Sequence, residues 1–528
     1  MSRYMEHVPS TPMMFGYDPL DVLSDNHLAR LVDLVVDESV QVQQPICSVG
    51  RPAYDPRVCL KVLVYGYSIG IRSSRQMERL CQEHLAFLFL TRGQAPSYRT
   101  LCAARVALGE ELIAIWLSLF AVAKECGLQR LGRVTLDSTK FRANASDESV
   151  VTVKEYGAVK AELEAILAES LEADAHEEAE GAGGQTDLDK ALPGDEQMRG
   201  ILRRVRAGLA KANQREQASG AAQAEGGHPC EPAEPRPKLR RTQRMRQRIK
   251  SGIAAIESAE HEGLKHVSLT DPDARMLHGG RSQQVKECHS FEVSVDNGLI
   301  VSSSASTESD NDRLLDLVEA SKAFEPEGVI SVDADSGYYR GEDIAKIEQS
   351  GIDTCIPTSA TACDLHNGFE IGATRRKSTG TVEFTYDGQS DCWVCPQHNR
   401  LRFIKQMPDR AQTVRVYRSE RACTGCPLAR ECLIHKNTKH RTKKVGLHSE
   451  LLQAVQNRFG DPARQDRYRH RGSAVETVFA FLRGTLGFSR WLLRGRDRVA
   501  QEAALMHAAY QFRKIHKLQA ITSTEQAA

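Results

Sequence analysis

Apolar residues recur at helical spacing through the first part of the chain. Between residues 20 and 125, hydrophobic positions three and four apart predict four helices, the last long enough to break internally. The predicted starts, in chain order, are Ser24 or Asp25, Pro56, Ser73 or Ser74, and Ser97. The pattern therefore predicts an all-α N-terminal domain over residues 1–128.

Short β-branched runs follow this helical part. LGRVTLDST predicts a strand that ends at Asp137, and Asn297-Gly298 between two β-rich runs predicts a hairpin over residues 289–306. A helix from Asp312, a strand leading to Asp335, a helix, a strand and a final helix come next. Without two interruptions the order is β-β-β-α-β-α-β-α, which predicts an α/β protein with a ribonuclease-H-like mixed sheet flanked by helices.

The two interruptions differ from the rest of the chain in composition. Residues 150–265 are charge-rich and predict a helical hairpin with a loose tip near 216–235, which either binds DNA or a second protomer or is a solvated spacer. Residues 361–437 are rich in cysteine and predict a small zinc-ribbon-like insertion. The remaining predicted parts are a catalytic domain from 129–149, 266–360 and 438–518, and a flexible tail at 519–528.

Charge is segregated along the chain. The net charge of +1 averages an acidic stretch at 161–180 with basic stretches at 236–250 and 464–498. Clustered arginine favours phosphate binding, so DNA is the expected partner. In the N-terminal domain, Arg72 and Arg75 are candidate DNA-binding residues, although solvated arginines on a helical bundle are the simpler interpretation.

Compartment follows from apolar runs and cysteines. No run approaches the roughly 20 apolar residues that a membrane span requires, and the N-terminus lacks the pattern of a signal peptide. Fourteen cysteines in such a chain favour a reducing compartment and metal binding over disulfides. We therefore expect a cytoplasmic protein with no membrane contact.

Three acidic residues are the candidate catalytic groups. Asp137 and Asp335 each follow a β-branched run, and Glu476 lies on an amphipathic helix flanked by arginines. Carboxylates gathered in this way would hold two Mg²⁺ ions for in-line attack on a phosphodiester. Each candidate has an alternative interpretation. Asp137 would be a turn aspartate after a strand, and Asp333 would be the functional residue in place of Asp335. Glu476 would form a surface ion pair with Arg483.

The cysteines between the last strand and the last helix are spaced like zinc ligands. Cys392 and Cys395 form one CxxC pair, Cys423 and Cys426 form another, and Cys432 follows. Four of these five thiols would satisfy one structural Zn²⁺. Reduced buried thiols or a redox pair are the alternatives.

Five blocks in collinear order resemble a DDE transposase of a bacterial insertion sequence. They are YDPRVCLKVLVYGYSIGIRSSRQMERLCQEHLAFLFLTRGQAPSYRTLCAAR, LDSTKFRANAS, SLTDPDARM, ADSGYY and YRHRGSAVETVFAFLRGTLGFSRWLLRG. The resemblance spans most of the chain. The chain resembles the branch of this family that has a helical N-terminal domain and a cysteine-containing insertion.

The resemblance implies a role for each matched residue. Asp137, Asp335 and Glu476 would be the DDE ligands of two Mg²⁺ (or Mn²⁺) ions. Tyr468, Arg471 and Arg483 match the Tyr, Arg and Lys/Arg positions around the Glu, which in related enzymes contact DNA near the cleaved end or a flipped base. Trp491 is a stacking candidate that we expect to be a core residue instead.

The implied function is binding of terminal inverted repeats, strand cleavage and transfer to target DNA, by a homodimer on paired ends. A hydrolytic ribonuclease-H-like nuclease and a non-catalytic, domesticated DNA-binding relative are the alternatives.

Overall fold

The computed structural model begins with helices. It describes residues 22–41, 53–107, 110–126, 132–179, 200, 203, 243–278, 285–307, 313–324, 328–369, 371, 382–409, 412–433 and 438–527. The N-terminal helices are α1 (Leu28–Ser39), α2 (Pro56–Ser68), α3 (Ser74–Glu83), α4 (Leu85–Thr91), α5 (Tyr98–Ala107) and α6 (Glu110–Glu125). Helix α2 is buried from Val58 to Ser68, which explains why its apolar residues are continuous. The one lysine in that run, Lys61, is neutralised by Asp33 and Asp37, each 2.7 Å away.

Most of the predicted helix starts are close to the observed ones. Pro56 opens α2 after the cap residue Asp55, and Ser73 caps α3. The first helix is capped by His27 rather than by Ser24 or Asp25, because the His27 ring accepts the amide hydrogen of Ala29 at 3.1 Å. In the same way, the amide of Ala86 donates to the His84 ring at the start of α4. The predicted third helix is therefore two helices, α3 and α4.

A six-stranded mixed sheet forms the centre of the α/β part. Its strands are β1 (Arg133–Arg142), β4 (Arg275–His278), β5 (Val285–Asp296), β6 (Leu299–Ser306), β7 (Ser331–Asp333) and β8 (Asp353–Cys355), whereas β2 (Val150–Thr152) and β3 (His266–Ser268) form a separate pair. Along the sheet the order is β4-β5-β1-β7-β8, and β6 pairs with the same strand β5 as β4. The pairings β1–β5 and β5–β6 are antiparallel, and β1–β7 and β7–β8 are parallel.

The predicted hairpin is confirmed. Strands β5 and β6 are joined by Asn297 and Gly298, whose φ angles are 48° and 74°. Two consecutive residues with positive φ match the right-handed twist of the strands, and asparagine and glycine adopt this conformation most readily. Trp491 lies against the same sheet as a fully buried residue, and its indole nitrogen donates to the carbonyl of His289 at 3.2 Å. It is a core residue, as expected.

Helices complete the α/β part. They are α9 (Leu314–Phe324), α10 (Gly341–Gln349), α11 (Ser359–Asn367), α13 (Ser449–Asn457), α14 (Pro462–Ala480) and α15 (Arg496–Ala527). Helix α15 packs on β6 and also on α2 and α6. Buried side chains of the N-terminal helices and of the sheet therefore form one continuous hydrophobic core.

Both insertions have structure of their own. In the first, α7 (Tyr156–Ala179) and α8 (Gln243–His261) pack together above the β2–β3 pair and enclose a small separate core. The predicted loose tip near 216–235 lies outside the described residues. In the second, β9 (Thr385–Asp387), β10 (Cys392–Val394), β11 (Arg400–Asp409), β12 (Gln412–Ser419) and β13 (Thr442–Gly446) form an antiparallel sheet with the short helix α12 (Ala429–Cys432) beside it. We call this sheet and helix the cysteine lobe.

Several element ends differ from the sequence prediction. Strand β1 continues past Asp137 to Arg142 because β5 pairs with it over that whole length. Helix α9 begins at Leu314 rather than Asp312. Helix α14 begins at Pro462, where Asp461 accepts the amide hydrogen of Ala463 at 3.0 Å. The predicted flexible tail continues α15 as far as Ala527, since no proline or glycine stops the helix there.

In the described part of the chain, no single helix is long and apolar enough to cross a membrane. By length and composition alone, one bent pair (Tyr98–Ala107 with Glu111–Glu125, bent by 76°) passes the same test.

Candidate active site

Asp137 and Asp335 continue two neighbouring parallel strands. Thr135 of β1 pairs with Asp333 of β7. Asp137 and Asp335 each lie two residues further along, and Asp335 is still extended, with φ −78° and ψ 175°. Because side chains two residues apart lie on the same face of a strand, this register directs both aspartates to the face of Thr135 and Asp333.

Each of these aspartates already accepts one backbone hydrogen bond. Asp137 accepts the amide hydrogen of Ser138 at 2.8 Å, and Asp335 accepts that of Gly337 at 2.8 Å. The second bond caps the short turn that follows β7. Both residues are half-buried. A partly solvated carboxylate at the end of a parallel pairing remains accessible to a ligand.

Asp333 has a different environment. It is 2% exposed and forms an ion pair with Arg467 of α14, whose Nε lies 2.9 Å from Oδ1. Arg467 also donates to Asp353 at 2.7 Å, and Arg464 donates to the same carboxylate at 3.0 Å. Asp333 is thus occupied in a network that fixes α14 on the edge of the sheet.

Helix α14 crosses β1 at the position of Asp137. Near its start, Arg467 bonds Asp333, the residue in register with Thr135. Just after its end, in a turn of π-helix at Phe481–Thr485, Arg483 donates to the hydroxyl of Thr139 and lies over the ring of Phe141. Glu476 lies between these two arginines, as Asp137 lies between Thr135 and Thr139.

Glu476 itself is exposed. Its Oε1 lies 3.8 Å from the point where a Cβ on Gly472 would stand, one turn back along α14. Across the described ranges, no three Asp, Glu, His or Cys side chains are arranged as ligands of one metal ion. Glu476 therefore lies on the helix that packs on β1, but in the described structure the three carboxylates do not form a cluster of metal ligands.

Tyr468 connects the helix to the aspartates. Its ring packs edge-on against Phe459, with ring centres 6.0 Å apart. Burial raises the pKa of the Tyr468 hydroxyl, the Arg471 guanidinium opposes this, and the nearby Asp335 and Asp137 carboxylates raise the pKa further. One side chain of α14 is therefore electrostatically close to both aspartates.

A cavity of about 550 Å³ lies beside this helix. Its lining includes Arg133, Thr135, Asp333 and the α14 residues Arg464, Arg467, His470 and Arg471. The Nε and Nη1 atoms of Arg471 are buried and lack a hydrogen-bond partner in the described structure. The guanidinium of Arg471 lies 5.1 Å from the centre of the Tyr468 ring. Asp461 and Asp466 also line this cavity, so its affinity for an anionic ligand would come from the unpartnered donors of Arg471.

The two N-terminal arginines differ. Arg72 donates to the carbonyl of Arg490 at 2.7 Å, lies 3.5 Å from Glu502 and covers the ring of Phe488. Its guanidinium thus joins the N-terminal helices to the chain before α15. Arg75 is exposed and lies over the ring of Tyr98.

Four of the five predicted thiols share a cavity in the cysteine lobe, without being arranged in the described structure as ligands of one metal ion. Cys395, Cys423, Cys426 and Cys432 line one cavity of about 290 Å³, together with Arg441. Burial raises the pKa of the Cys432 thiol, Arg441 opposes this, and the other three thiols raise it further. Cys392 is buried within β10 and is not among the residues that line this cavity.

Two family models match the chain. The model described as Transposase domain (DUF772) matches residues 18–107, and the model described as Transposase DDE domain matches residues 394–516. The two matches together indicate a DDE transposase of an insertion element. The comparison with curated proteins finds no match.

The two matches cover different parts of the transposase. The first covers the helices from α1 to α5, and the second begins in the cysteine lobe and includes Glu476. Both aspartates lie between the matched ranges, so their assignment depends on the strand register.

The arginine network around Asp353 was missed at the sequence level. The spacing of Arg464 and Arg467 on one helix face, with α14 begun at Pro462, would have indicated it.

Proposed function

We propose that this transposase binds the terminal inverted repeats of its element, cleaves DNA there and transfers the strand to target DNA. Asp137, Asp335 and Glu476 are the proposed catalytic carboxylates. The observation that supports the proposal is the parallel register of β1 and β7, since Asp137 and Asp335 continue these two strands and α14, which bears Glu476, contacts β1. The strand order β6-β5-β1-β7-β8, with two antiparallel pairs followed by two parallel pairs, supports a ribonuclease-H-like fold for this part.

The donor set fits magnesium. Carboxylate oxygens are hard ligands, and Mg²⁺ requires only a few of them besides water and phosphate. Asp137, Asp335 and Glu476 would hold two such ions, which when bound activate a water or 3′-hydroxyl and stabilise the leaving oxygen. The main task of the chain is to position the scissile phosphate against these carboxylates.

Neighbouring side chains of α14 would hold the DNA. Arg471 offers two unpartnered donors to a phosphate, and Tyr468 offers a ring for stacking on an extruded base. Arg483 lies in the turn after α14 and contacts Thr139, two residues beyond Asp137 on β1. A second phosphate would lie there. Arg75 is the exposed N-terminal arginine that we retain as a DNA contact. Arg72 is not retained, because its guanidinium is engaged within the protein.

Carboxylate-to-amide variants test the proposed catalytic residues. Asp137→Asn, Asp335→Asn and Glu476→Gln should each lower cleavage of a duplex that carries the element's ends by about a thousandfold, since several kcal/mol of transition-state stabilisation would be lost. DNA binding should remain, because phosphate contacts come from arginine. Asp316→Asn and Glu319→Gln, on the exposed surface of α9, are matched controls that should remain active.

The products of the same assay discriminate between the alternatives. Joining of a 3′-end to target DNA identifies a transposase, whereas cleaved ends without joining identify a hydrolytic nuclease. DNA binding without either product identifies a non-catalytic relative. Wild-type activity in any one of the three variants would exclude that residue. We propose a homodimer on paired ends, and the mass of the complex with two end duplexes tests this.

We also propose that Cys395, Cys423, Cys426 and Cys432 hold one structural Zn²⁺. The cavity they share supports this choice over any set that contains Cys392. Four thiolates around Zn²⁺ carry a net charge of −2. The Nε and Nη1 atoms of Arg441, which lines the cavity, are buried and have no hydrogen-bond partner in the described structure. A guanidinium in this position would neutralise the charge and donate to sulfur.

A further inference from the structure

The two faces of the sheet in the cysteine lobe carry different side chains, with aromatic rings on one face and most of the exposed cations on the other. Residues that pair directly across antiparallel strands share a face. On one face lie Trp393, Phe403 and Tyr417, with Lys443 4.0 Å from the centre of the Trp393 ring and Arg415 4.8 Å from that of Phe403. Tyr417 is buried on this face, whereas Phe403 is 40% exposed.

The other face carries exposed basic side chains around the buried residues Cys392, Val414 and Val416. Arg402 of β11 pairs with Arg418 of β12, and Val416 pairs with Lys405 on one side and Lys444 on the other. Arg400 lies two residues before Arg402 on the same face. These five side chains, which we call the basic face, are all exposed: Arg400, Arg402, Lys405, Arg418 and Lys444.

This arrangement is unfavourable for the isolated lobe. Like charges directly opposite each other, as in Arg402 and Arg418, destabilise a strand pair. Only partial compensation is present in the described residues. Arg402 contacts Glu420, and Lys444 lies 2.9 Å from Asp409. Lys405 and Arg418 have no side-chain hydrogen bond or ion pair in the described part of the chain.

The cysteine lobe contacts the α/β part. The amide of Thr413, at the start of β12, donates to Glu342 of α10 at 2.6 Å, and α10 packs on β12. The chain continues from β13 through α13 to α14, the helix that bears Glu476. A polyanion on the basic face would thus be bound to a lobe that contacts the α/β part and leads directly to α14.

We infer that the basic face of the cysteine lobe binds the sugar–phosphate backbone of duplex DNA. The inference rests on the proposed function, and it adds a DNA-binding surface outside the active site. Exposed arginines and lysines spread over three strands match a row of phosphates, and they offer no buried pocket for a base. The contact is therefore independent of sequence and positions the DNA without reading it.

Neutralising the two unpaired cations tests this inference. The double variant Lys405→Gln/Arg418→Gln should bind a duplex roughly tenfold more weakly, and its plot of log affinity against log salt should be shallower by about 2, because each lost phosphate contact removes about 0.9. Fluorescence anisotropy of labelled duplex with the full chain, in buffer without added magnesium or chelator, measures both quantities. Both side chains are exposed, so the fold should remain, and circular dichroism checks this.

Matched variants decide the outcome. Lys346→Gln/Lys517→Gln removes the same charge from exposed positions on α10 and α15 and should bind like the wild type. Lys405→Arg/Arg418→Lys should restore binding. An unchanged salt slope in the test variant, or an equal loss in the charge control, would overturn the inference. The measurement is made without added magnesium and reports binding alone, so it stays valid even if the proposed catalytic residues are wrong.

Discussion

Asp333 and Asp335 are two residues apart and have different tasks. Asp333 neutralises the guanidinium of Arg467 inside the protein, whereas Asp335 caps a turn at the half-exposed strand end. Asp333→Asn should lower the free energy of unfolding by about 3 kcal/mol, because Arg467 would lose its buried partner. Asp335→Asn should change it little while cleavage is lost. Urea denaturation of both variants measures the contrast, and equal stabilities would contradict it.

Glu287 links stability to pH. Burial raises the pKa of Glu287 to about 7, a hydrogen bond from Ser268 opposes this, and the Asp271 carboxylate raises it further. The folded state therefore favours the neutral acid. The resulting stabilisation is complete below about pH 4.5, the ordinary value, and is lost as pH rises through 7. Glu287→Gln should be more stable than wild type at pH 8 and similar at pH 4.5, as measured by urea unfolding at both pH values.

At the scale of elements, the zinc proposal predicts that the stability of the cysteine lobe depends on its metal. Elemental analysis should give one zinc per chain, and Cys423→Ser should lose it. Cys392→Ser should retain zinc, because Cys392 lies outside the cavity of the other four thiols. Chelation should lower the thermal stability of the wild type toward that of Cys423→Ser. A metal-free wild-type chain with a folded lobe would contradict the proposal.

Helix α14 shows how one element defines the candidate site. The residues before Glu476 do not form a simple amphipathic stripe, because arginines of one face bond the sheet while Tyr468 packs on Phe459. A hydrophobic pattern therefore locates only the second half of the helix. The first half is ordered by the ion pairs to Asp333 and Asp353, which join residues more than a hundred positions apart.

At the scale of the whole molecule, the N-terminal helices are not an independent unit. Glu502 of α15 is fully buried and accepts hydrogen bonds from Tyr67 of α2, at 3.3 Å, and from the amides of Leu492 and Leu493. The continuous core along α15 thereby holds the transposase domain of the N-terminus against the sheet that carries the aspartates.

The sequence by itself determined the elements and the candidate chemistry. Local patterns suffice for the hairpin at Asn297-Gly298, for the α2 start at Pro56 and for the order of strands and helices, because turn conformation and periodicity are properties of neighbouring residues. The cysteine spacing likewise indicated a cluster. Five collinear blocks identified the transposase family, which the two family matches support.

Only the tertiary structure decided what depends on distant partners. It paired Asp333 with Arg467, extended β1 beyond Asp137 along β5, and separated Cys392 from the other four thiols. It also directed Arg72 inward and collected five cations on one face of the cysteine lobe. Charge pairing and strand register join residues that are far apart in the chain, so no local pattern encodes them.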